Sequence, residues 1–455
     1  MEPGLPLCRD AVMVLPGIMG SELIDIRTGE VLWGLSPKAY VRLWTSGEGI
    51  RRLHLTDEER SGIHRRVRAT RTLRFPSASP GLGGFEPYTA LVKRIRGQAP
   101  HRDAVAEFPY DWRLSVSVNA SLLADAADDH LLRWRRHPQG NRDAALVLVA
   151  HSMGGLVAGY FTEQLGGCGL VRQTITLGTP FHGAVKAAHL LNSGRGAPVP
   201  LPRARLRALA ATLPGVHDLL PSYRCVDDGA GGRRLTPQDV ADIGGDPELA
   251  ASSLRLHEIF AEPDRTRLST VVGVEQPTMQ SLRIENGVVV PQWHLPATAG
   301  ELDPVNHAGD GTVYVEAALG GVEPIASLPQ SHAGIARTPE ARAVVSAKLI
   351  RGRLGPPMGG EGPGVEVPDL VAVGQPCEIG INGAADAMPT CTVTELDSGE
   401  QVDVRPSRRS GELRAVTVLP RQGIYRVEVK EGAFSAVTAI VLACAVEDLT
   451  LSDAG

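Results

Sequence analysis

Three side chains in this 455-residue sequence have the types and the order for acyl transfer: Ser152, Asp310 and His332. A serine hydroxyl is a weak nucleophile until a base takes its proton. His332 suits that base and would then hand the proton to a leaving alkoxide. Asp310 would bind the other imidazole nitrogen and hold its tautomer. Ser152 follows the apolar run Ala144-Ala145-Leu146-Val147-Leu148-Val149-Ala150-His151, and Met153-Gly154-Gly155 opens a helix-forming stretch. Strand, sharp turn and helix form the context of a nucleophile elbow, G-x-S-x-G, here with Ala150 at the first glycine. Small residues are needed because the serine backbone is strained and neighbouring chain passes close. The competing reading is a strand-to-helix turn with an incidental serine.

Other residues compete for two of these roles. His151 flanks the serine, but its side chain should point away from the hydroxyl. His182, beyond the next strand, is the alternative base. His307 precedes Asp310 too closely for an acid and base pair, and Asp303 is the fallback acid. What favours Ser152, Asp310 and His332 is their order, which α/β hydrolases share, and their common place in loops at strand ends.

The elements that must hold them read as an α/β fold. A buried strand at 10–15 runs into the loop Gly17-Ile18-Met19-Gly20. The oxyanion hole of such a fold takes one N–H from the residue after the nucleophile and one from an early loop. Met153 and Ile18 are the expected donors. Further strands at 104–108, 171–177 and 268–274 alternate with helices at 85–96, 116–135, 153–165 and 339–350. That rhythm predicts a parallel, doubly wound sheet with its site at the strands' carboxyl ends. Residues 30–87 read as irregular. The arginines between 51 and 74 read as a solvated face rather than a lipid-headgroup patch, because Asp57, Glu58 and Glu59 interrupt them.

From 184 to 266 the strand rhythm stops, which predicts a helical cap over the site. Its stripe Leu206, Leu209, Ala210 and Leu213, opposite Arg203, Arg205 and Arg207, would touch lipid or, on the favoured reading, pack on the hydrolase body. A hairpin is expected around Asn286-Gly287. The catalytic unit is expected over 1–352, a Gly/Pro-rich linker over 353–366 and a small immunoglobulin-like β-sandwich over 367–455. That module would stabilise the enzyme, or recruit it to a partner protein or membrane.

The net charge of −5 gives no reason to expect nucleic acid as the main partner. No apolar run is long enough to span a membrane, and 1–10 lacks the basic start and apolar core of a secretory signal. The six cysteines show no metal-ligand spacing. They read as free thiols of a reducing compartment, a disulfide among the last three being the alternative. A cytoplasmic protein is expected, with peripheral membrane contact through the cap and with no cofactor or metal.

Six motifs occur in order: Leu15-Pro16-Gly17-Ile18-Met19-Gly20-Ser21, Pro109-Tyr110-Asp111-Trp112-Arg113, Ala150-His151-Ser152-Met153-Gly154-Gly155, Thr176-Leu177-Gly178-Thr179-Pro180, Leu219-Leu220-Pro221 and Gly309-Asp310-Gly311-Thr312-Val313. Together they resemble the lecithin:cholesterol acyltransferase family in its bacterial branch. The resemblance covers about residues 10–350. It implies an α/β-hydrolase with a cap, a Ser/Asp/His triad, Ile18 at the oxyanion position and acyl-ester lipids as substrates. It also makes Ala150 an ordinary elbow residue. Departures are the absence of a signal and N-terminal disulfides, and Ile18 where an aromatic residue is common. The leading expectation is a serine-dependent lipid acyl-ester hydrolase working through acyl-Ser152. Transfer of that acyl group to an alcohol is the runner-up. A catalytically idle hydrolase body that binds a partner is the alternative of another class.

Overall fold

The computed structural model describes residues 7–34, 48–73, 88–196, 202–260, 265–296, 306–352, 362–383, 388–409, 412–432 and 435–445. Arg74 and Asp303 lie outside them. Six strands form one parallel sheet: β1 (Ala11–Leu15), β2 (Val105–Glu107), β3 (Leu146–His151), β4 (Val171–Leu177), β5 (Leu268–Gly273) and β6 (Ala326–Leu328), in the order β6-β5-β4-β3-β1-β2. β1 and β3 are central and buried at every position. Strands covered on both faces read as continuous apolar runs rather than alternating ones, as theirs do. The sheet with its flanking helices fits the α/β-hydrolase architecture.

Helix α1 (Val116–Arg136) starts at Ser115, whose hydroxyl accepts the Val118 N–H. Such a cap stabilises a helix start by about 1 kcal/mol. Helix α2 (Met153–Gln164) follows β3 with a single residue, Ser152, between them. The stretch expected to be a cap, 184–266, holds α3 (Val185–Ser193), α4 (Arg203–Ala210) and α5 (Pro247–Glu258). The hairpin pairs Ser281–Glu285 with Val288–Gln292. Asn286 and Gly287 both have positive φ, 53° and 77°, as the tight turn requires.

The described residues between 30 and 73 are less irregular than expected. Val31–Trp33 and Val67–Thr72 pair with Ser21–Asp25 in a small antiparallel sheet. Arg68 and Arg71 are exposed along Val67–Thr72 while Val67 and Thr72 are buried, and a register shift in the pairing breaks any clean alternation. Arg66, by contrast, is not part of a solvated face: its guanidinium lies 2.9 Å from Glu59.

All six cysteines are free thiols. The expected linker ends in a strand, β7 (Gly364–Glu366). Beyond it come β8 (Leu370–Ala372), β9 (Pro376–Asn382), β10 (Thr390–Glu395), β11 (Gln401–Val404), β12 (Ser407–Arg409), β13 (Glu412–Val418), β14 (Gly423–Lys430) and β15 (Val437–Cys444). Two sheets result, β7-β9-β13-β12 and β8-β15-β14-β10-β11. A core that includes Ile379, Ile381, Val393, Tyr425, Val427 and Val441 lies within this C-terminal all-β module. Among the described residues no helix is long and apolar enough to cross a membrane.

Candidate active site

Ser152 sits at φ 53° and ψ −129°, a conformation L-residues rarely hold. The surrounding backbone imposes it. The Ser152 N–H donates to the Leu177 carbonyl at 3.0 Å, and the Ser152 carbonyl accepts from Thr179 Oγ1 at 3.1 Å. The small residues of the elbow are there for close approach. A Cβ on Gly154 would lie 2.4 Å from the Pro16 carbonyl oxygen, and one on Gly17 would lie 2.9 Å from Ser152 Cβ. The loop Gly17-Ile18-Met19-Gly20 therefore rests directly on the elbow.

His332 Nε2 stands 2.8 Å from Ser152 Oγ, and His332 Nδ1 stands 2.6 Å from Asp310 Oδ2. The other carboxylate oxygen of Asp310 accepts the N–H groups of Thr312 and Val313 at 2.9 and 2.8 Å. Two amides thus fix the carboxylate, and its second oxygen faces the imidazole. The Asp310 carbonyl also accepts the His332 N–H at 2.7 Å. The three residues span 180 positions of chain, yet every separation lies in hydrogen-bonding range.

Met153 is the first residue of α2, where the N–H has no partner within the helix. Ile18 borders the same cavity as Ser152. Its loop is held from two sides: the Gly17 N–H donates to Tyr88 Oη at 2.8 Å, and the Tyr110 hydroxyl donates to the Pro16 carbonyl at 2.8 Å.

The rival residues are occupied elsewhere. His307 Nδ1 is 2.5 Å from Glu316. His182 does not border the cavity; its backbone bonds Ala317 and Ser222. His151 does turn away from the serine hydroxyl, but it is not idle. It lies 2.9 Å from Tyr88 Oη through Nδ1 and 2.9 Å from the His332 carbonyl through Nε2. Burial pushes its pKa down to about 3, so the ring is neutral.

The cavity over Ser152 has a volume of about 380 Å³. Trp112, Leu190, Met279 and Trp293 line it, together with Leu206, Leu209, Ala210 and Leu213 of the cap. The expected cap stripe is therefore buried and turned towards the serine, not outward. Lys186 also borders the cavity, and its Nζ donates to the Gly311 carbonyl at 3.2 Å. Burial pushes its pKa down, while Asp369 and Asp310 favour its charged form. A larger cavity of about 700 Å³ includes Tyr160, Asp218 and Arg255, and none of Ser152, Asp310 and His332. Size and chemistry thus separate, and the chemistry marks the smaller one.

Sequence reasoning missed Tyr88, Lys186 and the positioning contacts of His151. Tyr88 carried no signal of a site role, since the sequence placed it inside the helix expected over 85–96, and the structure makes it that helix's N-cap. His151 carried one, its place directly before the nucleophile. For a metal, His101, Asp103 and His137 bring ligand-type atoms within 4.8 Å of one another. None of the three borders the Ser152 cavity.

Residues 64–241 match the lecithin:cholesterol acyltransferase family. That stretch is therefore similar to this family, and it includes Ser152. A solved structure titled as the Tle4–Tli4 complex contains a chain of similar fold, with 17% identity and a TM-score of 0.51. The match covers 75% of this chain and 98% of that one. The mature lipase BlEst2 of Bacillus licheniformis also aligns, at 13% identity over 77% of this chain and 95% of its own, with a TM-score of 0.35. No curated protein matches the chain by sequence. The motif Pro109-Tyr110-Asp111-Trp112-Arg113 has a physical reading. Arg113 is fully buried and pairs with Asp111 at 2.7 Å and Glu59 at 2.9 Å.

Proposed function

We propose that this protein is a serine-dependent acyl-ester hydrolase acting on lipids. The observation that carries the reading is the unbroken line from Asp310 through His332 to Ser152, at 2.6 and 2.8 Å. His332 Nε2 takes the Ser152 proton as Oγ attacks the ester carbonyl carbon. The tetrahedral oxyanion sits on the Ile18 and Met153 N–H groups; one such donor lowers the barrier by about 2.7–4 kcal/mol. Asp310 keeps the imidazole in the right tautomer and stabilises its cation. The tetrahedral centre collapses, His332 protonates the departing alkoxide and acyl-Ser152 remains. His332 then takes a proton from water, which attacks the acyl carbon. The acid leaves and the proton returns to Ser152. The apolar lining suits the acyl chain.

The second reading is transfer of the acyl group to an alcohol, which replaces water in the last step. Two observations favour keeping it: the family matched over 64–241, and a Ser152 only 4% exposed beneath apolar walls. Within this proposal the catalytic unit runs over 1–352, and the C-terminal module is an immunoglobulin-like sandwich.

A fluorophosphonate probe tests the serine. The wild type is expected to be labelled and Ser152→Ala is not; equal labelling of both, or of neither, overturns the assignment. Incubation with an acyl-labelled phospholipid, with and without a sterol or long-chain alcohol, then separates the readings. Free fatty acid under both conditions supports hydrolysis, and labelled ester formed only with the acceptor supports transfer.

A further inference from the structure

One wall of the Ser152 cavity does not come from the hydrolase body. Val365, Val367 and Asp369, and Thr438 and Ile440 of β15, all from the C-terminal part of the chain, border it alongside Ser152 and His332. Val441 and Ala443 belong to the module's own core, while the preceding residues Thr438, Ala439 and Ile440 border the cavity.

Specific bonds hold this face in place, and they converge on the catalytic histidine's loop. Gln330 Nε2 donates to the carbonyls of Ser435 and Ala436, both at 3.0 Å. Ser331 Oγ donates to the Thr438 carbonyl at 2.8 Å. These two residues directly precede His332. Arg337 reaches Thr438 Oγ1, and Glu340 accepts from Ser435 Oγ at 2.9 Å. On the other side Gln276 Nε2 donates to the Pro363 carbonyl, and the Val365 N–H donates to Gln276 Oε1, both at 3.1 Å. Gln276 and Gln330 are 2% and 3% exposed. Buried amides left unpaired are costly, so the docked arrangement is the one these residues specify. A tethered recruiting module would need none of this.

We propose that the C-terminal module is part of the substrate site: Ile440, with Val365 and Val367, forms the wall that limits the acyl chain, while Gln330 and Ser331 tie the His332 loop to the same module. Acyl-chain preference is therefore set jointly by the cap and a separate β module. The proposal rests on Ser152 being the nucleophile towards acyl esters.

The test uses the full chain and the ratio of kcat/KM for p-nitrophenyl decanoate to that for p-nitrophenyl butanoate. The ratio cancels any loss of folded enzyme. Ile440→Trp narrows the wall and is expected to lower the ratio about tenfold or more, the scale on which apolar pockets discriminate methylenes. Ile440→Ala removes bulk and is expected to raise it. Superimposable ratios in wild type and both variants, with Ser152 still labelled by fluorophosphonate, would overturn the proposal. A wild type that is neither labelled nor active on either ester refutes the serine reading instead, and the proposal falls with it.

Discussion

His151 Nε2 donates to the backbone carbonyl of His332 at 2.9 Å, so the residue before Ser152 holds the loop of the candidate base. The donor assignment follows from chemistry. Burial keeps His151 neutral, a neutral imidazole has one donor and one acceptor, and a carbonyl only accepts. Nδ1 therefore accepts from the Tyr88 hydroxyl, whose oxygen in turn accepts the Gly17 N–H. A single line of bonds joins the Gly17 loop to the His332 loop around the elbow.

Tyr88→Phe removes the middle of that line. Tyr88 touches no reacting atom, so its effect must pass through position. Losing one oxyanion donor outright costs about 10²–10³ in kcat. Displacing its loop is expected to cost less, about tenfold, with KM within about twofold. A KM that rises with kcat unchanged would contradict a positioning role.

Asp310→Asn keeps an oxygen for the Thr312 and Val313 amides. Its amide nitrogen then faces His332 Nδ1 and forces the wrong tautomer. The expected result is a fall in kcat of about 10⁴ at almost unchanged stability. Steady-state kinetics beside a urea melt would check it. A variant that keeps a tenth of wild-type kcat would remove Asp310 from the mechanism.

What could be read ahead of the structure followed from local pattern. The buried run before Ser152 could only be a central strand, and Gly154-Gly155 signalled chain passing close. Asp310 and His332 were legible because each sits in a short loop beside a strand of the right order. The Tyr88 bond to His151 and the docking of Ser435 and Ala436, just before β15, on Gln330 were not legible. Both join segments 63 to 106 residues apart, and neither leaves a periodicity or spacing in either partner. Val67–Thr72 was missed for another reason: its outward arginines dominated a short strand whose pairing, not propensity, makes it one.

Arg113→Met tests whether the Asp111-Trp112-Arg113 motif is structural. The guanidinium is fully buried between Asp111 and Glu59 and also donates to the Leu53 carbonyl at 3.2 Å. Removing it leaves two carboxylates buried without that partner. Breaking a buried pair in this way costs about 3–5 kcal/mol. Denaturant unfolding should show a loss of that order. If stability is unchanged and only activity falls, the motif acts on the substrate instead.

Asp218 supplies a prediction whose sign is set by burial. The carboxyl is 5% exposed and accepts the Val116 N–H at 2.7 Å, joining the cap to the start of α1. Burial pushes its pKa from 3.8 up to about 7, against the lowering effect of that bond. Between those values the folded state binds the proton more tightly than the unfolded state, so this group's contribution to stability falls as pH rises. The loss is complete above about pH 7 and, at about 1.4 kcal/mol per unit, reaches the order of 4 kcal/mol. Asp218→Asn keeps a carbonyl oxygen for Val116 and never ionises. Its stability relative to wild type should therefore grow from about pH 4 to about pH 7 and stay level above that. Urea midpoints at pH 4.5, 6 and 8 measure it, and a difference that does not change across the three would show that Asp218 is not buried as an acid.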